Sequence, residues 1–184
     1  MKATKPRPAT AQWGLFLRNH DELDLGRLTD EQRRQVFAAF GPDKSMQLYD
    51  RGIRRRLAPM LGGDRRRLEL AYSLLFTLPG TPVVRYGDEL GMGDDLSQKE
   101  RNCARTPMQW SDEPHGGFTK HDKPICPVIS EGPYGFEHVN AILQASGVDL
   151  RALRSNLRRT ALRGPLEIAL TREAQSCLLY TSDA

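Results

Sequence analysis

Four residues able to do chemistry follow one another at Asn19-His20-Asp21-Glu22: an amide, an imidazole and two carboxylates, directly after the apolar run Leu15-Phe16-Leu17 and Arg18. Such groups are costly to bury without partners, so either the chain surfaces there or the cluster lines a pocket. A second apolar segment, Val83-Val84-Arg85-Tyr86, runs the same way into Gly87-Asp88-Glu89. Asp88 and Glu89 are adjacent, so on a strand they point to opposite sides and cannot form a facing acid/base pair. Asp88, Glu89, Asp94 and Asp95 lack the regular ligand spacing and central glycine of a calcium loop. Further on, Arg101 and Arg105 flank Asn102-Cys103-Ala104. Their planar, permanently charged guanidinium groups suit two-point contacts. Cys103, Cys126 and Cys177 are an odd count without paired spacing, which suggests neither a disulfide framework nor a zinc knuckle. Taken alone, Asn-His-Asp also fits a solvated strand end or a helix cap.

The elements that would position these groups can be read from periodicity and punctuation. Residues 2–10 are rich in proline and charge and read as an extended lead-in. Residues 13–17 are short, apolar and partly aromatic, as expected of a buried strand in a parallel sheet. Thr29-Asp30-Glu31 resembles a helix start with acidic groups near the positive end of the dipole, and Phe40-Gly41-Pro42-Asp43 closes that helix. Met46, Tyr49, Ile53 and Leu57 recur at helical spacing and predict a helix over 45–58. Asp64 can cap a further helix over 65–78, wet at its start and dry at its end, as suits packing on a sheet; Pro79-Gly80 stops it. A second strand follows at 81–86. Strand, helices, strand implies parallel strands of an α/β sheet. In such sheets, barrels included, function gathers beyond the carboxyl ends of the strands, where both polar clusters would lie. From 91 to 140 periodicity is lost, and Trp110, Phe118, Tyr134 and Phe136 favour an ordered lid or pocket wall. Beyond it, Leu150, Leu153, Leu157 and Ala161 recur as on an amphipathic helix.

With 184 residues, 39% hydrophobic and 27% charged, the chain can build a sizeable core and is not of disordered composition. No apolar run is long enough to span a bilayer, and MKATKPRPAT lacks the core of a signal peptide, so a cytoplasmic protein with no membrane partner is expected. The net charge of +4 hides arginine clusters at Arg54-Arg55-Arg56, at Arg65-Arg66-Arg67 and between Arg151 and Arg163. They could contact phosphates, which makes a basic nucleic-acid-binding module an alternative reading. No aromatic residues alternate with them to stack on bases, and a solvated helix face is the commoner use of such runs, so no nucleic-acid partner is expected. Oligomeric state is not indicated.

Three segments together resemble the α-amylase family of glycoside hydrolases: FLRNHDEL (16–23), GTPVVRYGDELGMGD (80–94) and RNCARTPMQW (101–110). GIRRRLAPML (52–61), DRRRLELAYSLLFTLPGTP (64–82) and GPYGFEHVN (132–140) narrow the likeness to members that isomerise maltose to trehalose. The resemblance implies an α/β fold, a fragment of a (β/α)8 TIM barrel comprising about strands 7 and 8, their helices and a long following loop. Residues 1–140 would be the carboxyl-terminal part of the catalytic barrel. Residues 141–176 are expected to be a divergent helical tail, open to a reading-frame slip, because the resemblance fades after Asn140. Residues 177–184 (CLLYTSDA) match a translated sequencing adapter.

The implied reaction is isomerisation by retaining, intramolecular α-glucosyl transfer on maltose, trehalose or a short α-glucan. A hydrolytic α-glucosidase or oligo-1,6-glucosidase of the same family is the near alternative. Carried over by motif, Asp21 is the catalytic carboxylate that steadies the oxocarbenium-like transition state, and His20, Arg101 and Arg105 bind substrate, Arg101 more firmly than Arg105. Asn19 supports the turn, and Gly87-Asp88-Glu89 is structural. Arg85 stands where many relatives carry tyrosine, and Asn102 where an aspartate is common. The family's nucleophile and acid/base lie on earlier strands, so this chain is expected to be inactive alone. No organic cofactor is implied; calcium is common in the family, but no site for it is evident.

Overall fold

The computed structural model describes residues 8–147. The expected tail over 141–176 therefore lies outside the described residues except for its first turns, and 177–184 and Cys177 lie wholly outside them.

The segment read as the first strand forms β1 (Gly14–Leu15), which pairs in parallel with β5 (Thr81–Pro82), Gly14 opposite Thr81 and Leu15 opposite Pro82. The Trp13 and Leu15 carbonyls accept from the Thr81 and Val83 amides, each at 2.7 Å. Both strands are shorter than the apolar runs that contain them. The backbones meet closely where the helix before β5 ends: a Cβ on Gly80, whose φ is +149°, would lie 2.9 Å from the Trp13 carbonyl oxygen. Only glycine fits that approach.

Between the parallel strands, β2 (Leu23–Asp24) is followed by α1 (Asp30–Phe40). Thr29 and Gln32 form a reciprocal capping box, and the Gly41 amide closes the far end on Phe37. The expected helix over 45–58 does not form. A 3-10 turn (Lys44–Met46) leads into a hairpin, β3 (Gln47–Leu48) and β4 (Gly52–Ile53), and only α2 (Leu57–Met60) is helical. The three short antiparallel strands lie in the order β2-β4-β3. The three-residue turn between β3 and β4 places both Tyr49 and Asp50 at positive φ, 54° and 52°, a region uncommon for residues with a side chain. Helical spacing misled here because the apolar residues are spent differently. Ile53 is fully buried, its side chain 3.4 Å from where a Gly41 Cβ would be, and Gly52 leaves room for Glu22.

Asp64 caps α3 (Arg65–Thr77), its carboxylate accepting from the Arg66 and Arg67 amides at 2.8 and 3.4 Å. Of this helix only Leu75 is buried, while Leu70, Leu74 and the following Leu78 are exposed. Its dry half therefore has little cover among the described residues. Residues 91–140 are an ordered loop carrying three 3-10 turns, Glu100–Ala104, Pro114–Gly117 and Gly132–Tyr134. The buried Gln109 amide holds it together by donating to the Val139 and Tyr134 carbonyls at 2.5 and 3.1 Å. The loop ends at α4 (Ala141–Gly147).

The core includes an unusual share of polar groups. Arg56, Ile53, Met92, Gln109, Asn140, Thr106 and Cys103 are its largest fully buried side chains. Cys103 is buried and Cys126 exposed, and neither is in a disulfide. Among the described residues no helix is long and apolar enough to cross a membrane.

Candidate functional site

The Arg54-Arg55-Arg56 run sits at the centre of the described residues rather than on a solvated helix face. Arg54 donates to the carbonyls of Ser45, Leu96, Gln98 and Glu100 at 2.6–2.9 Å, tying the hairpin to the loop. Arg55 meets Asp94 through both carboxylate oxygens at 3.1 and 2.9 Å. Arg56 pairs with Asp88 at 3.0 and 2.8 Å, and both are almost fully buried. It also donates to the Tyr86 carbonyl. Asp95 is taken by Ser97 and Gln98. Asp88, Asp94 and Asp95 thus have arginine, hydroxyl or amide partners, and among the described residues no three histidine, cysteine, aspartate or glutamate side chains converge as a metal set.

On this frame stands the Asn19-His20-Asp21 turn, just past the carboxyl end of β1. The Asn19 side chain accepts from the Asp21 amide at 2.9 Å, which closes the turn. Each of the three backbone carbonyls is met by a different arginine. Arg85 donates to Asn19 at 3.1 Å, Arg105 to His20 at 3.0 Å and Arg18 to Asp21 at 2.7 Å. Arg18 is buried, 4% exposed, and also donates to the Arg55 and Ile53 carbonyls at 2.9 and 3.4 Å. Burial pulls both the Arg18 and Arg85 guanidinium groups below their ordinary value.

The Asp21 carboxylate is held asymmetrically. Its Oδ1 lies 3.0 Å from Arg105 Nη2 and 3.2 Å from Arg101 Nε, whereas Oδ2 faces His20 Nε2 at 3.7 Å. The Asp21 side chain is 42% exposed and that of His20 68%. The neighbouring Glu22 is the firmer anchor for Arg101, with oxygens at 2.5 and 3.2 Å from its guanidinium nitrogens. The bond from Arg101 holds the Glu22 carboxyl below its ordinary range against the opposing effect of burial. Arg101 also lies over the Tyr49 ring at 5.6 Å, so the hairpin turn touches the site.

The four residues singled out from the sequence, His20, Asp21, Arg101 and Arg105, are therefore brought together although about 80 positions separate the two pairs. Sequence reasoning gave Arg18, Arg85 and Glu22 no role at the site. A charge inside an apolar run was the available signal for Arg18. The arrangement offers one fixed carboxylate with an open oxygen, an exposed imidazole beside it, and guanidinium groups on its far side. Such a set can receive hydroxyl groups while keeping its own geometry.

The family model for the α-amylase catalytic domain matches residues 46–147. A trehalose synthase of Thermus thermophilus is 48% identical over 165 residues, covering 89% of this chain and 17% of that protein. A trehalose synthase/amylase of Mycolicibacterium smegmatis is 48% identical over 143 residues, covering 77% and 24%. A second trehalose synthase/amylase, from Mycobacterium tuberculosis, is 44% identical over 161 residues, covering 86% and 26%. The chain thus spans about a quarter or less of the length of these curated relatives. With its parallel strands, the helices between them and the arginine-held turn at their carboxyl end, the chain belongs to the α-amylase catalytic-domain family and is part of a (β/α)8 barrel.

Proposed function

We propose that the chain supplies part of the sugar-binding mouth of an enzyme that isomerises maltose to trehalose by retaining, intramolecular α-glucosyl transfer. In this reading β1 and β5 are the seventh and eighth barrel strands. The observation that carries it is the Asp21 carboxylate, half open and fixed through one oxygen by Arg101 and Arg105, at the carboxyl end of a parallel strand. The identities to trehalose synthases support the same reading.

Retaining cleavage uses two carboxyl groups about 5–5.5 Å apart, one attacking the anomeric carbon and one protonating the leaving oxygen. Glu22, Asp88 and Asp94 are each bound to an arginine, so none of them is free for either task. The family resemblance places the nucleophile and the acid/base on earlier barrel strands, and the proposal takes them from there. Asp21 acts through charge: its open Oδ2 accepts from the hydroxyls beside the anomeric carbon and holds them more tightly as the ring flattens and becomes positive. The exposed His20 imidazole binds the same hydroxyls. Arg101 and Arg105 line the site and keep the Asp21 carboxylate in place. The released glucose turns over and attacks through its own anomeric hydroxyl, which requires that water be kept out. The ordered loop over 91–140 is the candidate wall for that closure. No organic cofactor enters these steps.

Of the arginine clusters behind the basic-module alternative, Arg54, Arg55 and Arg56 are engaged inside the protein, Arg65, Arg66 and Arg67 are exposed at the start of α3, and 151–163 lie outside the described residues; the identities to trehalose synthases favour the enzyme reading. Incubating the intact enzyme with maltose and separating the products tests the proposal. Trehalose is the expected main product, and glucose alone would overturn it in favour of hydrolysis. In the same enzyme Asp21→Ala is expected to lower kcat/KM on the order of 1000-fold, the loss of one preorganised electrostatic contact to the transition state.

A further inference from the structure

We infer that Arg18 is a positioning residue for Asp21, tying the turn that carries the carboxylate to the buried arginine run; this rests on the reading of Asp21 given above. Arg18 is the most buried of the guanidinium groups around the turn, and among the described residues it forms no ion pair with a carboxylate. Its charge is met by three carbonyl dipoles, those of Asp21, Ile53 and Arg55. A buried cation with no carboxylate in contact is a costly way to fill space, and an apolar side chain of similar size would pack there more cheaply. What the guanidinium supplies instead is a rigid fork with bonds aimed in set directions.

Those directions matter because of what lies at each end. One Nη2 bond holds the carbonyl of Asp21 itself at 2.7 Å. The Nε bond holds the carbonyl of Arg55, whose own side chain is locked to Asp94. Arg85 and Arg105 grip the preceding carbonyls of Asn19 and His20, but both are half-exposed and reach inward from loops. Among the described residues, Arg18 is the side chain that bonds both the Asp21 carbonyl and the backbone of the buried arginine run. Without it the Asp21 backbone would be free to shift by a fraction of an ångström, and its carboxylate would no longer meet the developing charge at the required place.

The test is a double-mutant cycle in the intact enzyme, using Arg18→Met, Asp21→Asn, the double variant and Arg18→Lys. Thermal midpoints are recorded for each, and an activated α-glucosyl fluoride keeps residual rates measurable. Arg18→Met is expected to lower kcat about 100-fold with KM nearly unchanged, since only transition-state contacts are misplaced. On the Asp21→Asn background the same change should cost no more than about twofold, because the group it positions is already disabled. Arg18→Lys should recover part of the rate. If Arg18→Met does not fold, the cycle is run with Arg18→Lys, which keeps the cation and part of the bonding. An equal loss on both backgrounds, or a kcat equal to the parent's, overturns the inference. Full activity of Asp21→Asn alone would instead overturn the reading of Asp21 on which it rests.

Discussion

Asp21 and Glu22 are neighbours that share one arginine and are put to different uses. Arg101 Nε is 2.5 Å from Glu22 and 3.2 Å from Asp21, and the Glu22 side chain is 8% exposed against 42% for Asp21. Glu22 is the anchor, and in the proposed function Asp21 is the working group. Since the Arg101 bond lowers the Glu22 pKa in the folded state, the stabilisation it brings is present above the ordinary value of 4.5 and is lost as pH falls through the lower folded value. Denaturant unfolding of the intact protein should therefore show Glu22→Gln less stable than the parent near neutrality, with the gap closing as the pH drops below 4.5. A gap of equal size at pH 3 and pH 7 would assign the loss to packing. His20, Asp21, Arg101 and Arg105 were legible in the sequence because their chemistry stands out by residue type and motif. Arg18 and Arg85 were not, because their role is defined by carbonyls 37 and 66 positions away, which no local pattern displays.

The helices divide by how their ends are made. The starts of α1 and α3 were readable because Thr29 and Asp64 satisfy orphan amides through local bonds, a pattern contained within four residues. The stretch over 45–58 was not readable for the opposite reason. Its conformation is set by distant partners: Glu22 against Gly52, Gly41 against Ile53, and the carbonyls of 96–100 around Arg54. Two substitutions separate these kinds of support. Thr29→Ala should cost about 1 kcal/mol, the worth of a local cap. Asp88→Asn should cost about 3–5 kcal/mol, because it leaves the 1%-exposed Arg56 charged without its counter-ion. Urea unfolding of the intact protein measures both, and equal losses would mean that Arg56 finds another partner.

Among the described residues, apolar surface faces outward around the parallel pair. Trp13, Phe16, Val83 and Val84 beside β1 and β5 are exposed, as are Leu70 and Leu74 on α3. A patch of this kind promotes association. The 184-residue chain produced by itself is expected to self-associate in size-exclusion chromatography, to bind a hydrophobic dye, and to show no turnover of maltose; measurable trehalose formation would refute the assignment of the attacking carboxylate to other residues. The strand-helix-strand order foresaw the parallel pairing, since apolar runs and stop signals are local, but strand length was overestimated, since ladder length depends on neighbours. The grip of Arg54 has its own corollary. Lys99 is exposed, and the carbonyls that Arg54 binds lie on both sides of it, Leu96 and Gln98 before and Glu100 after. A trypsin cut after Lys99 would thus sever the covalent thread while one side chain still clasps the two new ends, and the nicked molecule should migrate as a single native species that parts into two bands only in detergent.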